Sequence, residues 1–306
     1  MSRVLLPLLL QFFVTACATS PGGRTQVVAP AALQGFSAVY SEFDMHLQLV
    51  TAADAPSCQA AECAADRAFD QRILALGRSL ADTAFRQHAD LQLRFPRFEF
   101  IVADKLDAGA ASSAAGTVVI YRGVRRLELD DAALAFVLAR EMNHIIAGHH
   151  DENVTTSVLV AVAAQIFLPV LNIGTLFSAS TAAATTAASS AATTSAVASV
   201  ASFAGSRVLR ANDRPLQVRE AEAMAMVLLT AAGWDGREVS DQLQALRPAL
   251  PDEAEWTAEL RDSTLRIASL MQGPAFVEDM PSVGILSQVE PKLSLDLPPP
   301  MVSKPF

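Results

Sequence analysis

The sequence predicts an α+β fold, mainly α, with one small sheet. Three observations carry that prediction. Leu134 to His150 (LAFVLAREMNHIIAGHH) puts Leu134, Val137, Leu138, Glu141, His144, Ile145 and Gly148 at three- and four-residue spacings, as on one helical face. Helical periodicity recurs at 36–50, 68–91, 216–232, 239–246 and 256–271. Strand character is confined to two short runs, Phe98–Val102 and Thr117–Tyr121, the second bounded by Gly116 and Gly123.

Taken in order, the chain opens with a secretory signal over residues 1–16. Arg3 is its positive region and Val4 to Val14 its apolar core. Val14-Thr15-Ala16-Cys17 has the form of a bacterial lipoprotein box, which makes Cys17 the residue to carry lipid. An ordinary signal cut near Ala16 or Ala18, or a plain membrane anchor, are the other readings. Ala18, rather than Asp, after the Cys favours the outer membrane if the envelope is Gram-negative, with the fold facing the periplasm. Residues 17–35 are rich in small and polar residues and read as a tether.

Residues 36–273 form the expected domain. Phe36, Val39, Tyr40, Phe43, Met45 and Leu47 make 36–50 an amphipathic helix. With the helix over 68–91, it is expected to pack on the back of the fold. Between them lie Cys58 and Cys63, which an oxidising compartment favours as a disulfide. Asp104 to Gly116 reads as a loop. Thr117–Tyr121 either offers its edge to an extended polypeptide or is an ordinary paired strand.

Asp130 and Asp131 are placed to cap the helix that follows. Residues 153–206 carry no charge and divide near Pro169, Asn172 and Gly174, so a helical hairpin is expected. The first half is short for a bilayer span and the second only weakly apolar. The helices bearing Glu141 and Glu220 must share a compartment, so spans here number zero or two, and zero is favoured. Gly233 is placed as the C-terminal cap of the helix bearing Glu220. Residues 274–306 form a Pro-rich tail.

Composition narrows the partners. The 306-residue chain is 51% apolar and 18% charged, with a net charge of -9. Without Arg3 the mature chain has 22 basic against 32 acidic residues, which argues against nucleic acid.

The chemistry centres on Arg140-Glu141-Met142-Asn143-His144. A zinc peptidase has His-Glu-x-x-His here: two histidines one turn apart hold the metal, and the Glu activates water. Downstream, Arg219-Glu220-Ala221-Glu222-Ala223 opens an apolar helix ending in Ala232-Gly233-Trp234-Asp235, and Leu265-Arg266-Ile267 follows. With the Gly-bounded strand before it, this series from about Pro96 to Leu270 resembles the HtpX/BepA-like gluzincin metallopeptidases, a family with many cell-envelope lipoproteins.

The resemblance implies a zincin-like domain and assigns roles residue by residue. Glu141 matches the general base, and His144 and Glu220 match two zinc ligands. Glu222 stands where the family has an Asp supporting the site. Arg140 replaces the first zinc histidine. A guanidinium stays protonated and cannot bind zinc. On an ideal helix His149 lies about 140° round from His144 and points away. Arg140 is therefore expected to pair with Glu220 and Glu141, in place of the metal's charge.

Two functions follow from the resemblance. One is a non-catalytic relative, its zinc lost, that binds unfolded or assembling envelope proteins. The other is a working zinc endopeptidase that tolerates Arg140. A purely structural lipoprotein fits the Ala-rich segment but leaves Glu141, His144 and Glu220 unexplained.

Overall fold

The computed structural model describes residues 17–28, 31–157, 214–251 and 254–272. The signal at 1–16, the tail at 274–306 and all of the 153–206 insert beyond Ser157 lie outside the described residues.

The stretch read as a tether is a hairpin over most of its described length. Strands β1 (Cys17–Thr19) and β2 (Thr25–Val27) pair antiparallel, with Cys17 opposite Val27. The turn is closed by Gly23 N donating to Ser20 O at 2.9 Å, and Gly23 takes φ +85°, a left-handed conformation suited to glycine.

Helix α1 (Ala31–Thr51) does pack on the fold, but through the face opposite its apolar one. Ser37, Ser41 and Met45 are buried, whereas Phe36, Val39, Phe43, Leu47 and Val50 are exposed. Ser41 Oγ accepts from Ala114 N at 2.9 Å. The Glu42 carboxylate takes the Ser113 and Thr117 hydroxyls at 3.0 and 2.8 Å. Met45 meets Ala111 and Val119.

The expected Cys58–Cys63 disulfide is present, and helix α2 (Ala60–Gln87) starts inside it, eight residues before the expected start at 68. It buries Phe69, Ile73, Leu80 and Ala84, and at Gly77 the Phe100 ring approaches within 2.7 Å of where a Cβ would stand. After a one-turn helix at Leu91–Arg94 come β3 (Glu99–Ala103), β4 (Ala110–Ser112) and β5 (Thr117–Tyr121).

The sheet order is β3-β5-β4, with β5 parallel to β3 and antiparallel to β4. Two expectations are corrected here. Thr117–Tyr121 is the central strand, paired on both sides, so it offers no edge; the ordinary paired strand is the right reading. The supposed loop contains β4, which local propensity hides because Ala and Ser favour strands little.

Helix α3 (Asp131–Ile146) runs through the core, with nearly every residue buried, and Asp130 Oδ1 caps it by accepting from Ala133 N at 2.8 Å. It ends where Gly148 turns left-handed at φ +73°. Helix α4 (149–157) follows.

Helix α5 (214–231) is stopped by Gly233 at φ +95°, with Trp234 N reaching back to Leu229 O at 3.0 Å. Asp235 then caps α6 (Gly236–Leu246), accepting from Arg237 N and Glu238 N, and α7 (Glu255–Gln272) follows. The result is mainly helical with small sheets, as a zincin-like domain requires. Among the described residues no helix is long and apolar enough to cross a membrane.

Candidate functional site

The apolar periodicity of α3 fixes its inward face, so Arg140 and Glu141 go into the core with it. Arg140 is 1% exposed, the largest fully buried side chain among the described residues. Its Nη2 lies 3.3 Å from Glu141 Oε1. Its Nη1 donates to Ser263 Oγ at 3.3 Å and lies 3.4 Å from Glu259 Oε1. Its Nε has no acceptor.

The expected Arg140–Glu141 pair is therefore present and the expected Arg140–Glu220 pair is not. Arg140 turns instead toward α7. The sequence offered no sign of Glu259 as its partner, because α7 is far away along the chain.

Glu222 does not support a zinc ligand. It is 2% exposed and receives Arg266 Nε and Nη2 at 2.7 and 2.8 Å. Ser263 Oγ donates to the same carboxylate while accepting from Arg140. Arg140, Ser263, Glu222 and Arg266 thus form one buried polar chain. Such a chain is stabilising only when nearly all of its members are satisfied.

Glu220 is held by the N-terminal hairpin. Arg24 Nε lies 2.8 Å from Glu220 Oε2, and the rest of the Arg24 fork grips Glu152 at 3.0 and 2.6 Å. Glu220 Oε1 takes the Ser20 hydroxyl and Gly22 N, the latter at 3.2 Å. Gln217 Nε2 fixes Glu152 at 2.9 Å. Burial alone would raise the Glu220 pKa, but hydrogen bonds from His149, Ser20 and Arg24 bring it down to about 2.

His149 corrects a further expectation. The ideal-helix extrapolation fails because α3 stops before it, and the Gly148 turn brings the ring back. His149 Nε2 lies 3.1 Å from Glu220 Oε2, and its Nδ1 lies 2.8 Å from His144 Nδ1. In the tautomer that donates Nε2–H to the carboxylate, His149 accepts at Nδ1 from His144 Nδ1–H. That leaves a lone pair on His144 Nε2.

Burial, then the neighbouring His149, His150, Arg140 and Arg214, hold the His144 pKa well below its ordinary value. His150 sits beside Ser112, whose Oγ is 3.1 Å from His150 Nε2 and donates to Glu141 Oε2 at 3.1 Å.

The structure thus brings Glu141, His144 and Glu220 into one region, and adds His149, Ser112, Glu152, Glu259 and Arg24 to it. The only sequence sign of Arg24 was its being a lone basic residue in a small-residue stretch. As arranged, the residues do not fit zinc. A buried cation stands where the sequence resemblance expects the first ligand, and Glu220 is saturated at both oxygens. Two ring nitrogens are spent on each other. Among the described residues no group of three or more His, Cys, Asp or Glu is set to hold a metal. Catalytic zinc takes three protein ligands and a water.

Comparison with known proteins gives a family match. The family model described as Peptidase family M48 matches residues 70–271, about two thirds of the chain. No curated protein and no solved structure gives a significant match.

Proposed function

Because the chain belongs to peptidase family M48, we propose that it is a lipid-anchored cell-envelope member whose peptidase centre is disabled, and which holds extended segments of other envelope proteins without cutting them. Members of this family are zinc-dependent. The observation that carries the reading is Arg140: fully buried, it fills the first ligand's place and engages Glu141.

Strand β4 is one of the two outer strands of the sheet among the described residues and carries Ser112 against Glu141. A client strand adding to that edge would run past Glu141, gaining affinity from backbone pairing alone. Unfolded or assembling envelope proteins present such strands. Lipid on Cys17 would hold the protein at the outer membrane, facing the periplasm.

One observation favours the alternative, a zinc endopeptidase. His149 joins His144 and Glu220, so two imidazoles and a carboxylate do converge. Incubating the purified chain with casein and zinc separates the two. Capture of intact casein supports the binder. Casein cleavage that a chelator abolishes overturns it.

A further inference from the structure

Helix α1 is turned inside out relative to its composition. Its buried positions are Ser37, Ser41 and Met45; its outward positions are Phe36 at 51%, Val39 at 68%, Phe43 at 66%, Leu47 at 52% and Val50 at 72% exposure. At about 100° per residue these five lie in one stripe, roughly opposite the buried face and about 21 Å long. Phe36 and Tyr40 stack at its start, with ring centroids 6.1 Å apart. Such an apolar stripe on an exposed helix marks a surface that meets something apolar.

We propose that this stripe lies in the interface of a lipid bilayer, with α1 parallel to the membrane plane. Its placement rests on the reading of Cys17 as the lipidated residue. The hairpin sets Cys17 directly across from Val27, and α1 begins four residues later, at most ~14 Å along an extended chain. Lipid on Cys17 would therefore hold the first turn of α1 close to the membrane surface, making contact by the stripe an intramolecular event.

The charge on α1 refines the partner. Residues 31–51 carry Glu42 and Asp44 and no Lys or Arg. A helix with that balance suits a zwitterionic surface and is repelled by an anionic one. Two copies packing stripe to stripe would also cover it, but nothing beside α1 favours a second copy, whereas the Cys17–Val27 pairing leads the chain from the anchor into the stripe.

The test uses the mature chain, residues 17–306, with Cys17→Ser, so that neither lipid nor the apolar signal contributes. It is compared with the same chain carrying Phe36→Gln, Phe43→Gln and Leu47→Gln, by flotation with phosphatidylcholine vesicles. Unchanged thermal melting confirms that both fold. The expected result is that the first chain floats, that the triple variant partitions at least about tenfold less, and that added phosphatidylglycerol weakens flotation. Equal partition of the two chains overturns the proposal. So does a dimer, by sedimentation equilibrium, that the triple variant dissociates without changing flotation. A Cys17 peptide of unmodified mass would remove the lipid anchor separately, leaving the flotation result to decide the stripe.

Discussion

Arg24 and Glu220 lie 196 positions apart in the chain and meet at 2.8 Å. Glu220 is the residue that the sequence resemblance would make the third metal ligand, and its partner here is a cation from the N-terminal hairpin. The same guanidinium takes Glu152 in a two-point grip, so one arginine neutralises two buried carboxylates.

The hairpin is fitted to this grip at Gly22. A Cβ there would stand 2.6 Å from Glu220 Oε1, while one on Gly23 would meet nothing within 4 Å. Gly22→Ala is expected to unseat the turn, and Arg24→Ala to do the same by removing the cation. In either variant the amides of Gly22 and Val27, which donate to Glu220 and Glu152, should exchange about tenfold faster or more. Gly23→Ala should cost only about 1–2 kcal/mol of backbone strain and leave the docked amides protected.

Arg140 is the buried counterpart. Replacing it with Met removes the charge at similar volume and strands Glu141 and Glu259 without it. Breaking a buried pair from one side costs about 3–5 kcal/mol, so the urea midpoint should fall sharply. Arg140→His should also destabilise, because an imidazole cannot span Ser263 and both carboxylates. A variant as stable as the parent would show that Arg140 is not a structural cation.

Acid stability follows from groups that ionise differently in the fold. Burial holds His88 and His144 below the usual histidine range and pushes His150 down to about 3. The unfolded chain protonates these rings first as pH falls through about 6.5, so it binds more protons than the fold. Stability is then present above about pH 6.5 and is lost as pH falls; for His150 the loss continues toward pH 3, by about 1.4 kcal/mol per pH unit. Glu220, depressed to about 2, works in a lower window: its contribution is intact above about pH 4.5 and disappears only as pH approaches 2. Urea unfolding at intervals from pH 7 to pH 4 should show the midpoint falling steadily, and His150→Gln should flatten the slope.

The Cys58–Cys63 bridge closes a small loop at the start of α2, where Glu62 also accepts from Gln59 N at 3.4 Å. Loop-closure entropy for so short a loop is worth about 2 kcal/mol. Replacing both cysteines with Ser should lower the melting temperature by a few degrees without changing any binding at the Glu141 region.

Local pattern made much of this legible. The α3 stripe, its Asp130 cap, the Gly233 stop, the disulfide and the burial of Glu141 all follow from neighbours in sequence. The misses have a common cause. Arg24 with Glu220, Arg140 with Glu259 and the outward turn of α1 depend on residues distant along the chain, which no periodicity encodes. His149 was misplaced because a helix was extended through Gly148, where one left-handed residue redirects everything after it. Strand β4 was missed because its place beside β5 comes from tertiary packing, against the preference of Ala and Ser.

Metal content decides most directly whether two guanidiniums have taken over the ground of a dication. The chain, purified without chelator and equilibrated with zinc, is measured by elemental analysis alongside His144→Ala. The account predicts zinc far below one equivalent in both and no peptide hydrolysis. One tightly held zinc per chain, lost in His144→Ala and accompanied by chelator-sensitive hydrolysis, would contradict it.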